Sequence, residues 1–256
     1  MLSPDAASSR LILWALLALL VALLAVRAVL KDRREYGRFK RFERTRNRQR
    51  MMRKWLIDSV LVFGGSSVIL LLLVWRYVPL FLGAVDDWPP FRWLHGVVTD
   101  TGGLVPGFAL GAGIALVVGT VVAVYLARRS GDVPTIGDIG AILPRNRAEL
   151  RYGAALSINA GVVEELMFRL AVPTVVFGAT GSALAAVITS ILLFGALHVY
   201  QGLPGVIGST VIGAVLMLLF LSTGSIVVPI VVHALIDVRS LVLIPSLVFR
   251  VDRVRS

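Results

Sequence analysis

Residues 161–170 read GVVEELMFRL and set three ionisable side chains, Glu164, Glu165 and Arg169, inside a run that is otherwise soluble in lipid. Charges at membrane depth are costly and persist only where something nearby compensates them. The reading of this stretch decides the fold, and the surrounding sequence supplies the context. Of 256 residues, 57% are hydrophobic and only 16% are charged, against about 25% charged in a soluble domain. Several apolar runs exceed the roughly 20 residues that cross a bilayer as helix. The chain is therefore expected to be an all-α, polytopic membrane helical bundle.

Working outward, the first apolar run is LILWALLALLVALLAVRAVL, residues 11–30. It is too long for a signal-peptide core, and little positive charge precedes it, so it is expected to be a retained helix. Residues 31–54 follow with twelve Lys or Arg against three acids. That excess reads as a topology anchor, with anionic lipid head groups as the alternative partner. A second span is expected at about 55–82. The segment 83–103, with Asp86, Asp87, Asp100 and paired prolines and tryptophans, reads as an outer loop, and His95 within it as solvated or interfacial. Further spans are expected at about 104–127, 152–177, 181–200, 204–222 and 226–249. Gly202, Pro204, Gly205 and Gly208 mark a turn between two of these helices, and Gly208 and Gly213 permit close helix contact.

Placing the basic segments 31–54, 128–151 and 250–256 in the cytoplasm gives about seven transmembrane helices, an outer N-terminus and an inner C-terminus in a prokaryotic plasma membrane. The net charge of +11 then belongs to loops and not to a nucleic-acid surface. Residues 1–150 are expected to form an N-terminal part, 151–249 a compact four-helix part and 250–256 a basic tail. The chain has no cysteine, which removes disulfides and thiolate metal sites.

Polar side chains at depth concentrate in residues 152–249: Asn159, Glu164, Glu165, Arg169, His198, His233 and Asp237. Glu165 and Arg169 are four apart, share a helix face and can pair. Glu164 is rotated about 100° from Glu165 and points elsewhere. His233 and Asp237 are also four apart. Interhelical packing alone would explain one such pair, but six ionisable groups on three helices point to a site. A carboxylate kept from bulk water can take a proton from a water molecule. One histidine can share that water, and a second beside an acid can donate to the oxyanion formed at a carbonyl. This is hydrolytic chemistry suited to an amide bond. No serine stands in a nucleophile setting, which favours water as the attacking group. Glu164, His198 and His233 could equally hold a zinc ion, and the sequence leaves metal-bound and metal-free water open.

The motifs EELMFR, FGALH and HALID, in that order on successive helices, resemble the three motifs of the CPBP family. That family comprises type II CAAX prenyl endopeptidases and bacteriocin-processing or immunity (Abi) proteins, glutamate-dependent intramembrane proteases. The resemblance covers roughly 150–240. It implies Glu164 as catalytic base with His198, His233 and Asp237 as the oxyanion-stabilising pair, and Glu165 with Arg169 shaping and charge-balancing the site. Asp237 stands where the family commonly has Asn. An ionised Asp cannot donate to an oxyanion, so it either carries a proton or orients His233. The substrate implied is a peptide or membrane protein. Two other readings are a non-proteolytic scaffold or regulator with the same polar site, and a proton-coupled transporter using Glu164 and His198 as a relay.

Depth sets a further expectation. Glu164 lies twelve residues after Tyr152, about 18 Å of helix rise. His198 and His233 lie nearer opposite ends of their helices. Helix tilt, a break near Asp237 and Arg239, or a cavity opening inward is needed to bring the three level, and an inward-facing wet cavity is expected.

Overall fold

The computed structural model describes residues 2–100, 117–129, 135 and 137–254. The first part of the expected span 104–127, residues 130–134 and the His95 side chain lie outside the described residues. The architecture is all-α. Helix α1 spans Ser8–Phe39, α2 Thr45–Val74, α3 Tyr77–Asp86 and α4 Pro89–Asp100. Helix α5 covers 117–129, and α6 covers 147–180. Helix α7 is Ala183–Ala196, α8 Gly202–Thr223 and α9 Val227–Phe249. Among the described residues, Ser8–Phe39, Thr45–Val74, Ala183–Thr223 and Val227–Phe249 are long and apolar enough to cross a membrane. The chain is an integral membrane helical bundle. The stretch 183–223 is two helices, because Gly202 at φ 79° reverses the chain between α7 and α8.

Helix α6 is the axis of the bundle, which is why its charges are tolerated. Met167, Ala171, Val172, Val175 and Ala179 have no exposed surface. They share one hydrophobic core with Leu13 and Leu17 of α1, Phe63 and Leu70 of α2, Phe81 of α3 and Phe194 of α7. The ionisable groups of α6 therefore meet protein rather than lipid. Lipid-facing surface lies instead on outer stripes such as Ile207, Val211, Val215 and Leu218 of α8, spaced for one helix face. The asparagine before α6, Asn146, caps it by accepting from the Glu149 amide at 3.0 Å.

Three regions differ from the sequence reading. The basic segment 31–54 is mostly helix, with α1 running to Phe39 and α2 starting at Thr45. Arg, Lys, Gln and Met are good helix formers, and cross-helix pairs hold the two ends together: Lys31 with Asp58, and Lys54 and Trp55 with Glu35. The expected span 55–82 turns at Trp75–Arg76, because α3 packs across the end of α6, with Phe81 5.9 Å from Phe177. Part of the expected outer loop is the helix α4. One ion pair joins the N-terminal helices to the start of α6. Arg48 Nε donates to both Glu149 oxygens at 3.0 and 3.1 Å, and Nη2 donates to the carbonyls of Ala141 and Leu143. Arg48 and Glu149 are both fully buried.

Candidate active site

Breaks in regular helix occur where the ionisable side chains of α6, α7 and α9 cluster. A π turn, Leu166–Ala171, begins immediately after Glu165. A 3-10 turn, Leu197–Gln201, carries His198 at the end of α7. A second π turn, Arg239–Leu243, follows Asp237 in α9. Such interruptions let side chains from helices at different depths face one level. Close backbone approach assists: a Cβ at Gly161 would stand 2.9 Å from the Ala234 Cβ and the Ile230 carbonyl. Only glycine lets α6 and α9 come this near.

Glu165 and Arg169 form a fork-to-fork pair, Nε to Oε2 at 2.7 Å and Nη2 to Oε1 at 3.2 Å. Neither has any exposed surface. The Oε1 atom also accepts from His233 Nδ1 at 2.8 Å. Glu165 therefore couples α9 to α6. His233 Nε2 lies 3.8 Å from Asp237 Oδ2, beyond hydrogen-bond range. The hydrogen-bonded carboxylate of His233 is thus Glu165 on another helix, and the same-face neighbour Asp237 stands next to the opposite ring nitrogen.

His198 Nδ1 donates to the Phe194 carbonyl at 2.8 Å. A carbonyl only accepts, so the hydrogen of the neutral ring sits on Nδ1 and Nε2 keeps its lone pair. Phe194 organises the whole cluster. Its ring lies 5.0 Å from that of His198, 6.0 Å from that of His233 and 5.4 Å from that of Phe168. The Arg169 guanidinium sits 5.1 Å from the same ring centre. Gly213 of α8 makes room for it, since a Cβ there would be 2.7 Å from the Phe194 ring.

Glu164, His198, His233 and Asp237 line one cavity of about 410 Å³. Glu165 and Arg169 do not line it; they stand behind His233. The two adjacent glutamates thus face different surroundings, as one residue of helix rotation requires. The cavity extends past Asn159 and Tyr200 to Tyr36, Trp55, Thr135 and Ile139 at the end of the bundle where the basic segments lie. Sequence reasoning missed several of its polar residues, among them Arg27, Asp32 and Tyr200. Arg27 had a legible signal, being the single charge in residues 11–30. Among the described residues, no three His, Asp or Glu side chains are grouped to hold a metal ion.

The stretch 146–239 matches the family model for type II CAAX prenyl endopeptidase Rce1-like proteins. It runs from the cap of α6 to the start of the π turn in α9 and includes all six motif side chains. No curated protein and no solved structure matches the chain.

Proposed function

We propose, from the match of residues 146–239 to the type II CAAX prenyl endopeptidase Rce1-like model, that this chain is a membrane-embedded endopeptidase in which Glu164 and His198 activate water against a peptide carbonyl. The observation that carries the reading is the convergence of Glu164, His198, His233 and Asp237 on one cavity. The water sits between the Glu164 carboxylate and His198 Nε2, whose lone pair is available because Nδ1 is bonded to the Phe194 carbonyl. As the water oxygen attacks the carbonyl carbon, Glu164 takes its proton. In its imidazolium form His233 donates from Nδ1 to Glu165 and from Nε2 to the developing oxyanion. Asp237 stabilises that charged ring from the cavity side. The Glu165–Arg169 pair fixes the ring plane and holds Glu165 as an acceptor. Collapse of the tetrahedral species breaks the C–N bond, and the proton on Glu164 passes to the leaving amine.

The family name sets the substrate to try first, a prenylated CAAX-type peptide. Purified protein in detergent is incubated with this peptide and the products are weighed by mass spectrometry. Two fragments whose masses sum to that of the peptide plus one water are expected. An intact peptide after prolonged incubation with folded protein contradicts the reading.

A further inference from the structure

We propose that Arg27 is a specificity-determining residue that takes the free α-carboxylate at the end of a peptide substrate. The proposal rests on the endopeptidase reading of the cavity and adds a binding residue from outside the matched segment. Arg27 opens the π turn Arg27–Asp32 of α1, which packs against the 3-10 turn carrying His198. It lines the same cavity as Glu164, His198 and Asp237.

The guanidinium is only partly used. Nε donates to Asp32 Oδ2 at 3.2 Å, a single-point contact rather than a fork. Nη1 is buried and has no hydrogen-bond partner. The group lies over the Phe63 ring, 4.7 Å from its centre, and its side chain is 11% exposed. A guanidinium stripped of water and short of acceptors attracts a second anion strongly, and its planar fork suits a carboxylate.

The other arginine lining the cavity among the described residues, Arg239, is already committed. Its Nε donates to Thr120 Oγ1 at 2.9 Å and its Nη2 to the Gly119 carbonyl at 2.6 Å. Glu164 and Asp237 also line the cavity, and neither accepts a hydrogen bond from Arg27. Walls such as Trp55, Ile142, Leu156, Ile212 and Ile236 are apolar, so an apolar peptide end with one terminal charge complements the space. An internal segment of a longer chain would bring no anion to Arg27. A chain end does, and that selects for cleavage close to a C-terminus.

The test uses one prenylated CAAX-type peptide made in two forms, with a free C-terminal carboxylate and with a C-terminal amide. Binding to the full-length Glu164→Gln protein is measured by fluorescence anisotropy, and cleavage by the otherwise unaltered protein is measured in parallel. The acid form is expected to bind about tenfold or more tighter than the amide, the scale of a hydrogen bond to a charged group. In cleavage the difference is expected in KM. Arg27→Gln should bring the acid-to-amide ratio close to one, and Arg27→Lys should retain part of it. Equal binding of acid and amide by the Arg27-containing protein overturns the proposal, whether or not Arg27→Gln folds. A loss in Arg27→Gln that is equal for both forms also overturns it, pointing to a structural or lipid-binding role. Selective binding without cleavage supports Arg27 as the carboxylate site while refuting the protease reading, so the two failures are separable.

Discussion

At position 165 the carboxylate is enclosed completely and shared between Arg169 and His233, whereas at position 164 it lines the cavity. The two side chains therefore answer differently to mutation. Removing one partner of a buried ion pair leaves the other charge uncompensated, at about 3–5 kcal/mol. Arg169→Ala is expected to lower the thermal midpoint in detergent sharply and to release His233 from its fixed orientation. A midpoint like that of the unaltered protein would contradict the enclosed geometry. His198→Ala is expected to cut peptide cleavage by about 10²–10⁴-fold, the scale of a lost proton-transfer partner, as read from initial rates. At this scale much was legible beforehand. The four-residue spacing of Glu165 and Arg169 announced their pairing. The bond from His233 to Glu165 was not legible, because it joins residues 68 apart through helix packing that no local pattern encodes. The spacing of His233 and Asp237 suggested a nearer partner, which stands out of bonding range.

Helices were legible as elements, and of their irregularities only the break near Asp237 and Arg239 was anticipated, where the π turn Arg239–Leu243 lies. Apolar runs located α1, α2 and α6 to α9 because lipid and core alike demand such runs. The π turns after Glu165 and Asp237 depend on which carbonyl each amide finds, and composition does not set that. Charged residues in 31–54 suggested a loop, yet they continue α1 and α2, since cross-helix ion pairs and a buried arginine give them partners. Contact between α6 and α9 holds the site together, and Gly161 controls it. Gly161→Val places atoms 2.9 Å or less from Ala234 and Ile230, so the helices must separate and draw His233 from Glu165. Loss of cleavage together with a lowered thermal midpoint is expected. Gly65→Ala, where nothing lies within 4 Å of the added carbon, serves as the control and should change neither. Equal behaviour of the two variants would refute close packing of α6 on α9.

Over the whole molecule, the N-terminal helices complete the cavity that α6 to α9 begin. Arg27, Asp32 and Tyr36 of α1 and Trp55, Ser59 and Phe63 of α2 line it, and Arg48 locks α2 to the base of α6. The sequence separated residues 1–150 from the remainder at the long basic segment 128–151, and that boundary gave no hint that the cavity crosses it. Arg48→Ala leaves Glu149 buried without its partner and should cost about 3–5 kcal/mol, measured as a fall in denaturation midpoint. No change would mean that the two parts of the bundle are not joined through this pair.

The measurement that reaches the centre of this account compares Glu164→Gln with Glu165→Gln in the same two assays, cleavage of a prenylated CAAX-type peptide and thermal unfolding in detergent. Glu164→Gln should lose cleavage by at least about 10²-fold while unfolding at the midpoint of the unaltered protein, and Glu165→Gln should unfold at a clearly lower temperature. A folded Glu164→Gln protein that cleaves at the rate of the unaltered one would contradict the account.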